Sequence, residues 1–459
     1  MLRRTFLGQS ARILAASATA PQVIACTSTE EAFPDNTSFS GNVLIIGAGI
    51  AGLYAAHLLM QRGVDVTVLE ASTHIGGRIR PLTGFADFAI ELGAEEIHGQ
   101  RTEWYKLIAS AGGILQSADG GTDYVVWNGQ ARSDDTLSGD SGFRAAQTFV
   151  EQATNYSGAT DQTVGQYFRA SGLSAQAAPF VNAQIGNEYG TSMDRLSLRG
   201  ITEEDRAWTA GDRNFILTNR SYLDSIRTAW SDVVGRVTTG AVVREVDYRN
   251  SQVTVTDQQG RKYTADRVII TVPLTILKAG DIQFTPALPS DKISALSNIG
   301  MGAGMKLILH FNRPFWPEGL GSLYGNGYVP EFWVTSAGRS QNQFVLTAFV
   351  MGEKAEFLSQ QGSGATEIVL KELDALYAGR ASQFVTKSYI MDWTKEPFIR
   401  GAYSFPVVGG GLVMRQALAN PVQNKLFFAG EATHTAGHSG TAHGAMETGQ
   451  RAAREVLVN

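Results

Sequence analysis

The chain has 459 residues, 43% of them hydrophobic and 18% charged, the balance of a globular protein large enough for a substantial core and two domains. A formal net charge of -5 without a Lys/Arg run argues against nucleic acid or another polyanion as partner. The single cysteine, Cys26, excludes an internal disulfide and a cysteine-based metal cluster.

Residues 1–26 read as an export segment, to be set apart from the fold. Arg3-Arg4-Thr5-Phe6-Leu7 is a twin-arginine pattern, an Ala-rich apolar stretch follows, and Val23-Ile24-Ala25-Cys26 has the form of a bacterial lipoprotein cleavage box. The bland alternative is an unstructured N-terminus with an idle cysteine. The coincidence of the two patterns favours export by a bacterium to the periplasm, with a lipid anchor at Cys26. Ile13–Ala25 contains Pro21 and falls short of the roughly 20 apolar residues of a spanning helix, so the membrane is met only through the lipid. Residues 27–41 are polar, with Pro34 and Gly41, and read as a linker.

Asn42–Gly52 (NVLIIGAGIAG) is the stretch around which the rest is organised. An apolar strand, Val43–Ile46, runs straight into G-x-G-x-x-G. Helical spacing follows through Leu53, Ala56 and Leu59, then a second strand, Val64–Leu69, closed by Glu70. Gly47 permits the tight turn, Gly49 lets the backbone approach a pyrophosphate, and Gly52 lets helix and strand pack closely. The helix N-terminus offers free N–H groups to phosphates, and Glu70 can accept from a ribose. This is a dinucleotide site that leaves NAD and FAD both open.

Further on come Gly76-Gly77-Arg78 and Glu91–Gly99 (ELGAEEIHG). From Arg101 to about Trp230 the pattern is mostly helical, broken by Gly/Ser loops. Val237–Tyr248, Ser251–Thr256, Arg267–Val272 and Phe344–Val350 read as strands; Gly300–Phe311 reads as a Gly-rich turn feeding a strand. Ala365–Tyr377 is an expected helix, Leu426–Ala429 a short buried strand, and Gly444–Val458 a closing helix. Nucleotide-binding pieces at the start, middle and end predict an α/β fold. A Rossmann-type domain assembled from residues 42–120, 235–305 and 394–459 carries an inserted α+β domain from residues 121–234 and 306–393. His434, His438 and His443 show no zinc-like spacing; local hydrogen bonding is the expectation there, and no metal.

Four blocks in order now resemble a known family, the flavin-containing amine oxidases, which include monoamine oxidases, polyamine oxidases and lysine-specific histone demethylases. The blocks are GAGIAG with Glu70 and GGR; ELGAEEIHG; ADRVIITVPLTILKAGDIQFTPALP through GMKLILHF; and PFIRGAYS with LFFAGEATHTAGHSGTAHGAMETGQRAA. The resemblance implies a non-covalent FAD. Gly47, Gly49, Gly52 and Glu70 would hold its ADP half, with Arg78 beside pyrophosphate and flavin, Val243 at adenine, Trp393 near the flavin, and Gly430 and Glu431 along the cofactor backbone. Ala402 stands where monoamine oxidases carry the cysteine that binds FAD covalently.

The resemblance also implies Lys306 holding a water against flavin N5, Tyr403 as one wall of an aromatic cage with Thr441 opposite, and His98 as a polyamine-oxidase-like residue near the flavin. For Lys306 the plain reading is a solvated edge lysine, and for His98 a structural loop histidine. Glu95 and Glu96 either attract a cationic substrate or are solvated loop acids. Ser221-Tyr222 stands roughly where the family usually has a Gly-Gly pair. The implied reaction removes hydride from the α-carbon of a small-molecule amine to flavin N5 and gives an imine that hydrolyses, with oxygen or another acceptor taking the electrons. An alkyl amine with a pKa of about 10.4 enters mostly as ammonium, and removing its proton at pH 7 costs roughly 4.6 kcal/mol; His98 is the group suited to take it. Within the family, monoamine, alkaloid-amine and L-amino acid oxidation are the alternatives to a polyamine. A flavin desaturase or porphyrinogen-type oxidase, which lacks Lys306 with the GAYS/GEAT ending, and a non-catalytic flavin-binding protein compete from outside it.

Overall fold

The computed structural model describes residue 33 and residues 39–458; the expected export segment and Cys26 lie outside the described residues. The fold is α/β. Its centre is a five-stranded parallel sheet in the order Val237–Thr238, Asp65–Leu69, Asn42–Ile46, Arg267–Ile270, Leu426–Phe428. The three adjacent strands Asn42–Ile46, Arg267–Ile270 and Leu426–Phe428 are near-continuous apolar runs because both faces of the sheet are covered there, whereas Asp65–Leu69 leaves Asp65 and Thr67 exposed. Val43 and Ile45 face one core with Leu53 and Val456, while Leu44 and Ile46 face another with Val246 and Val255. The helix Ile50–Met60 lies against the closing helix Ala442–Val458 at close range: a Cβ added at Gly449 would stand 2.3 Å from the Ala51 carbonyl oxygen.

The second large element is a seven-stranded sheet in the order Val385–Asp392, Gly304–Phe311, Phe344–Met351, Glu331–Val334, Leu320–Tyr324, Thr122–Trp127, Gln130–Ser133. Helices Gly352–Gln361 and Ala365–Tyr377 cover one part of it through Leu307, Leu309, Leu358 and Val369. Helices between residues 141 and 207 build a separate aromatic core from Phe143, Phe149, Phe168 and Phe180, joined by Trp127 and Tyr324. No described helix is long and apolar enough to cross a membrane.

The segment expected to be mostly helical, Arg101 to about Trp230, also contains strands Leu115–Ser117, Thr122–Trp127, Gln130–Ser133 and Asn214–Leu217. A signal for one pair was present. Asn128-Gly129 takes positive φ at both residues, 53 and 75, the geometry of the two-residue turn that Asn-Gly favours between strands. Tyr222, Ile226 and Trp230 pack into the core of the nucleotide sheet with Leu53 and Val456. The end of residues 121–234 therefore sits with the first domain rather than with the inserted one, because the helix Tyr222–Ala229 buries its apolar face there.

Candidate active site

A cavity of about 660 Å³ runs from the glycine turn to the seven-stranded sheet. Gly47, Gly49, Glu70, Arg78 and Val243 line it, as do Lys306, Trp393, Tyr403, Gly430, Glu431 and Thr441; Glu95, Glu96 and His98 line it from the ELGAEEIHG block. The sequence-derived site residues thus converge on one space, apart from Gly52, which stands behind it.

The three glycines of the turn do different work. Gly47 holds φ +110, open to glycine at little cost. A Cβ on Gly52 would lie 2.0 Å from the Gly47 carbonyl oxygen, so the helix could not start so close to the strand. A Cβ on Gly49 would meet nothing within 4 Å and would project into open cavity. The helix beginning at Ile50 has no side-chain cap, which leaves its first N–H groups to serve an anion. Glu70 is positioned by its own neighbours: Oε2 accepts from Ala48 N at 2.8 Å and Oε1 from Ser72 N at 2.8 Å. A long cavity with a bare helix N-terminus at one end and an acid beside it fits the ADP half of FAD. Ala402 offers no sulfur, so the residues present suit a non-covalently held flavin.

Arg78 donates from Nη1 to the Ala402 carbonyl at 2.6 Å and to Glu431 Oε1 at 3.0 Å. Burial would raise the Glu431 pKa, but Arg78, Ser404 and Arg415 outweigh it and hold the carboxyl below its ordinary value. Its other oxygen accepts from Ser404 Oγ at 2.6 Å and Gly440 N at 2.9 Å. Glu431 thus fixes Arg78 at the cavity wall that both residues line. Behind it, the buried Arg415 donates to Ser404 Oγ and pairs with the buried Glu204 at 2.8 Å. Neither residue carried a sequence signal, because their partners lie far along the chain.

Lys306 is 3% exposed on an interior strand flanked by Phe344–Met351 and Val385–Asp392, which removes the solvated-edge reading. Its Nζ donates to the carbonyls of Glu91 and Gly93 at 3.0 Å each and to Glu95 Oε2 at 2.8 Å. An ammonium has three donors, and these contacts use them all; holding a water would require one to be released. Gly93 permits this fold of the loop, since a Cβ there would stand 1.8 Å from the Arg78 carbonyl oxygen.

Glu95 corrects both expectations for it. It is 7% exposed, so it is not a solvated loop acid, and its second oxygen accepts from Arg339 Nη1 at 3.0 Å. With both oxygens neutralising internal cations, it has no spare charge to steer a substrate. Burial would raise its pKa, but Lys306 and Arg339 bring it down to about 2. Neighbouring Glu91, equally buried, is pushed up to about 7 by desolvation. Ser221-Tyr222 serves this loop. Ser221 caps the helix Tyr222–Ala229, the Tyr222 N–H donates to Glu91 Oε1 at 2.8 Å, and its hydroxyl donates to the Glu95 carbonyl at 2.6 Å.

Glu96 and His98 alternate with the fully buried Ile97 on the strand Glu96–His98, and so face the cavity together. The His98 ring is set by Asn214, whose Oδ1 accepts from Nδ1 at 2.9 Å; the tautomer leaves Nε2 as the basic nitrogen. The Tyr403 hydroxyl donates to the Glu188 carbonyl at 2.8 Å. Thr441 is committed to the turn before the closing helix, donating to the His438 carbonyl at 2.7 Å. The aromatic surface here also includes Trp333 and Phe349, with ring centroids 5.2 Å apart. These two and Glu188 were missed from sequence. Glu188 directly follows a π-helical turn, Asn182–Asn187, a distortion frequent at functional sites.

His434, His438 and Glu447 converge closely enough to suggest a metal site, but the hydrogen bonds argue otherwise. His434 Nδ1 accepts backbone N–H groups from Ala436 and His438, and His438 Nε2 accepts from Thr209 N. The nitrogens facing Glu447 therefore carry protons and donate to its Oε2 at 2.8 and 2.7 Å. A metal-bound imidazole has the opposite arrangement, donating from its remote nitrogen.

A family model described as flavin containing amine oxidoreductase matches residues 50–457. Lysine-specific histone demethylase 2 of Homo sapiens is 28% identical over 423 residues, covering 86% of this chain and 50% of its own length, so this chain spans about half of that relative. Polyamine oxidase 4 of Oryza sativa subsp. japonica is 28% identical over 450 residues, covering 90% of this chain and 88% of its own. Among solved structures, cyclohexylamine oxidase from Brevibacterium oxydans IH-35A superposes with a TM-score of 0.77 at 21% identity, over 91% of this chain and 99% of that one; at that identity the likeness establishes the shared fold.

Proposed function

Because this chain belongs to the flavin-containing amine oxidoreductase family, whose chemistry is FAD-dependent amine oxidation, we propose that its substrate is a di- or polyamine. Bound FAD supplies the two-electron acceptor for that oxidation. The chain's own part is to hold the amine against an aromatic wall, take its proton and pair its remote charges. The observation that carries the substrate class is the placement of Glu96 and Glu188. Glu188 follows Asn187, which bonds the backbone of Phe349 and Met351, and Tyr403 reaches its carbonyl. Glu96 follows Glu95, which is tied to Lys306, the register partner of Phe349. Two carboxylates thus border the stretch walled by Trp333, Phe349 and Tyr403. His98 Nε2 is the acceptor for the ammonium proton, and Lys306 holds the Glu91–Glu95 loop against the cavity.

The test is anaerobic flavin reduction with a monoamine, a diamine and a triamine. Replacing Glu96 and Glu188 by Gln should weaken the di- and triamine by about tenfold per lost charge-assisted contact and the monoamine little, with the difference shrinking at high salt. Equal weakening of all three would leave a generic amine oxidase. Admission of oxygen after reduction then separates an oxidase from a dehydrogenase.

Localisation rests on sequence. We propose export and anchoring at Cys26 from the RRTFL and VIAC motifs, since two or more acyl chains anchor stably. Mass spectrometry of the membrane fraction should find acylated Cys26; a soluble protein retaining Met1 in its native host would overturn this.

A further inference from the structure

Three of the chain's seven histidines, with Glu447, form one line from the cavity to the surface. His98 borders the cavity. Its ring lies 6.3 Å from that of His443, which lies 4.7 Å from His438, which donates to Glu447. The Glu447 side chain is 24% exposed, against 6% for that of His438, so the line ends in solvent. Trp208 packs edge-on against His98, His438 and His443 at 5.0 to 6.1 Å, with its N–H committed to the Gly211 carbonyl. The indole shields the line without joining it. One atom is unaccounted for: Nε2 of His443, which is 1% exposed, is buried without a hydrogen-bond partner. Buried polar atoms are almost always satisfied by protein or ordered water, so this nitrogen points to a bridging ligand between His443 and its neighbours.

We propose that His98, His443, His438 and Glu447 form a proton exit, with water bridging at His443, that carries the ammonium proton of the substrate from the cavity to solvent. The proposal rests on the amine-oxidation reading above. Oxidation of an ammonium, RCH2NH3+, to an iminium, RCH=NH2+, releases a hydride from carbon to the bound oxidant and a proton from nitrogen. At the nitrogen an N–H bond breaks, its electron pair stays on nitrogen, and the proton bonds to His98 Nε2. The line is polarised to pass it outward. A proton arriving at His438 Nε2 from the water bridging at His443 displaces the Thr209 N–H that this nitrogen accepts at 3.2 Å and releases the Nδ1 proton to Glu447 Oε2, which yields one to solvent.

Two electrostatic features suit transport rather than storage. Burial holds the His443 imidazole well below its ordinary pKa, with His438 acting in the same direction, so it passes a proton in a concerted shift and does not trap one. Glu447 is held low by His434 and His438 despite its burial. The charged and titratable groups acting on His443 are His438, Glu447, His98 and His434, and those acting on His434 are Glu447, His438 and Arg451. His434 hangs off the path as a second donor to Glu447.

Glu447→Gln is the discriminating variant, because the amide oxygen can still accept from both imidazoles while losing the ability to carry a proton. In the FAD-loaded protein it should slow anaerobic reduction by a diamine at least about tenfold near neutral pH, less than the roughly hundredfold or more of a group that takes the proton from substrate directly. The loss should fade as pH approaches the amine pKa, and added imidazole should restore part of the rate. The proton inventory of wild-type reduction in H2O/D2O mixtures should be curved and that of Glu447→Gln linear, while His434→Gln keeps the wild-type curve. Equal wild-type and Glu447→Gln rates at every pH, with a linear wild-type inventory, would overturn the exit while leaving amine oxidation intact; failure of every amine to reduce the wild-type flavin would instead remove the underlying reading. A readout without turnover is the 15N-histidine NMR spectrum of the FAD-loaded wild type, which should show His438 protonated at Nδ1. Protonation at Nε2 alone would break the line and overturn the proposal even where Glu447→Gln does not fold.

Discussion

Glu95→Gln should lower the unfolding free energy by about 4 kcal/mol, within the 3–5 kcal/mol expected when one partner of a buried ion pair is removed. The carboxylate lies between Lys306 and Arg339, whose side chains are 4% and 2% exposed, and the amide leaves two buried cations facing each other. Lys306→Met alone should cost less, about 2 kcal/mol, since the Glu95–Arg339 pair survives and the desolvation penalty of the buried ammonium, which goes with it, offsets much of the three lost hydrogen bonds. The double variant should cost less than the sum of the two, because the methionine removes one of the repelling cations. A solvated acid would have tolerated Glu95→Gln within about 0.5 kcal/mol, so chemical denaturation decides between the two pictures directly. The pH dependence has a definite sign. The folded pKa of Glu95, about 2, lies below its ordinary 4.5. Its contribution is therefore complete above pH 4.5 and lost as pH falls through the folded pKa. The Gln variant should lack that acid-limb loss; an identical acid limb in both proteins would rule the ion pair out. Lys306→Met should also retain FAD, as a lysine that supports the loop rather than the nucleotide would allow.

Glu91→Gln should do the reverse and stabilise the protein at neutral and alkaline pH. Glu91 is 2% exposed; one oxygen accepts the Tyr222 N–H and the other is buried without a partner. Desolvation pushes its pKa up from 4.5 to about 7, against the smaller opposing effects of the Tyr222 N–H and Arg339. Between those two values the folded chain holds a proton that the unfolded chain has released, so stability falls as pH rises through this window and is level beyond it. At about 1.36 kcal/mol per unit the loss approaches about 3 kcal/mol. The glutamine carries no such cost. The two proteins should be similarly stable below pH 4.5 and diverge up to about pH 7, with Glu91→Gln the more resistant to urea above it. Parallel stability curves across that window would show that Glu91 ionises normally.

Glu91 and Glu95 stand four residues apart in one motif, yet their pKa values are driven in opposite directions. ELGAEEIHG marks the block as a site but says nothing of that division. Lys306 stands 211 residues from Glu95, and Arg339 stands 244 from it. Which acid receives both cations follows from how the loop crosses the strand Gly304–Phe311, and no local spacing encodes that. Glu188, Trp333 and Phe349 were silent for the same reason, each being brought to the cavity by an element whose own pattern is ordinary. The hairpin at Asn128-Gly129 is a different matter, since its turn was written in the sequence and hidden only by the helical stretches around it.

What the sequence by itself determined is the nucleotide unit and the family. The roles of Gly47, Gly49, Gly52 and Glu70 are local: a turn, a helix start and an acid one strand away are short-range consequences of residue type, so reading them needs no partner from elsewhere. The four ordered blocks carried the flavin and the amine chemistry because they preserve the residues that must meet at one cavity. What only the tertiary structure decided is the charge state and company of the groups at that cavity: Glu95 paired with two cations, Glu91 with its pKa driven up to about 7, Lys306 with every donor committed, and three histidines from two distant segments set in a line. Ionisation depends on burial and on the charges within a few ångströms, and both are properties of segments that meet only when the chain has folded.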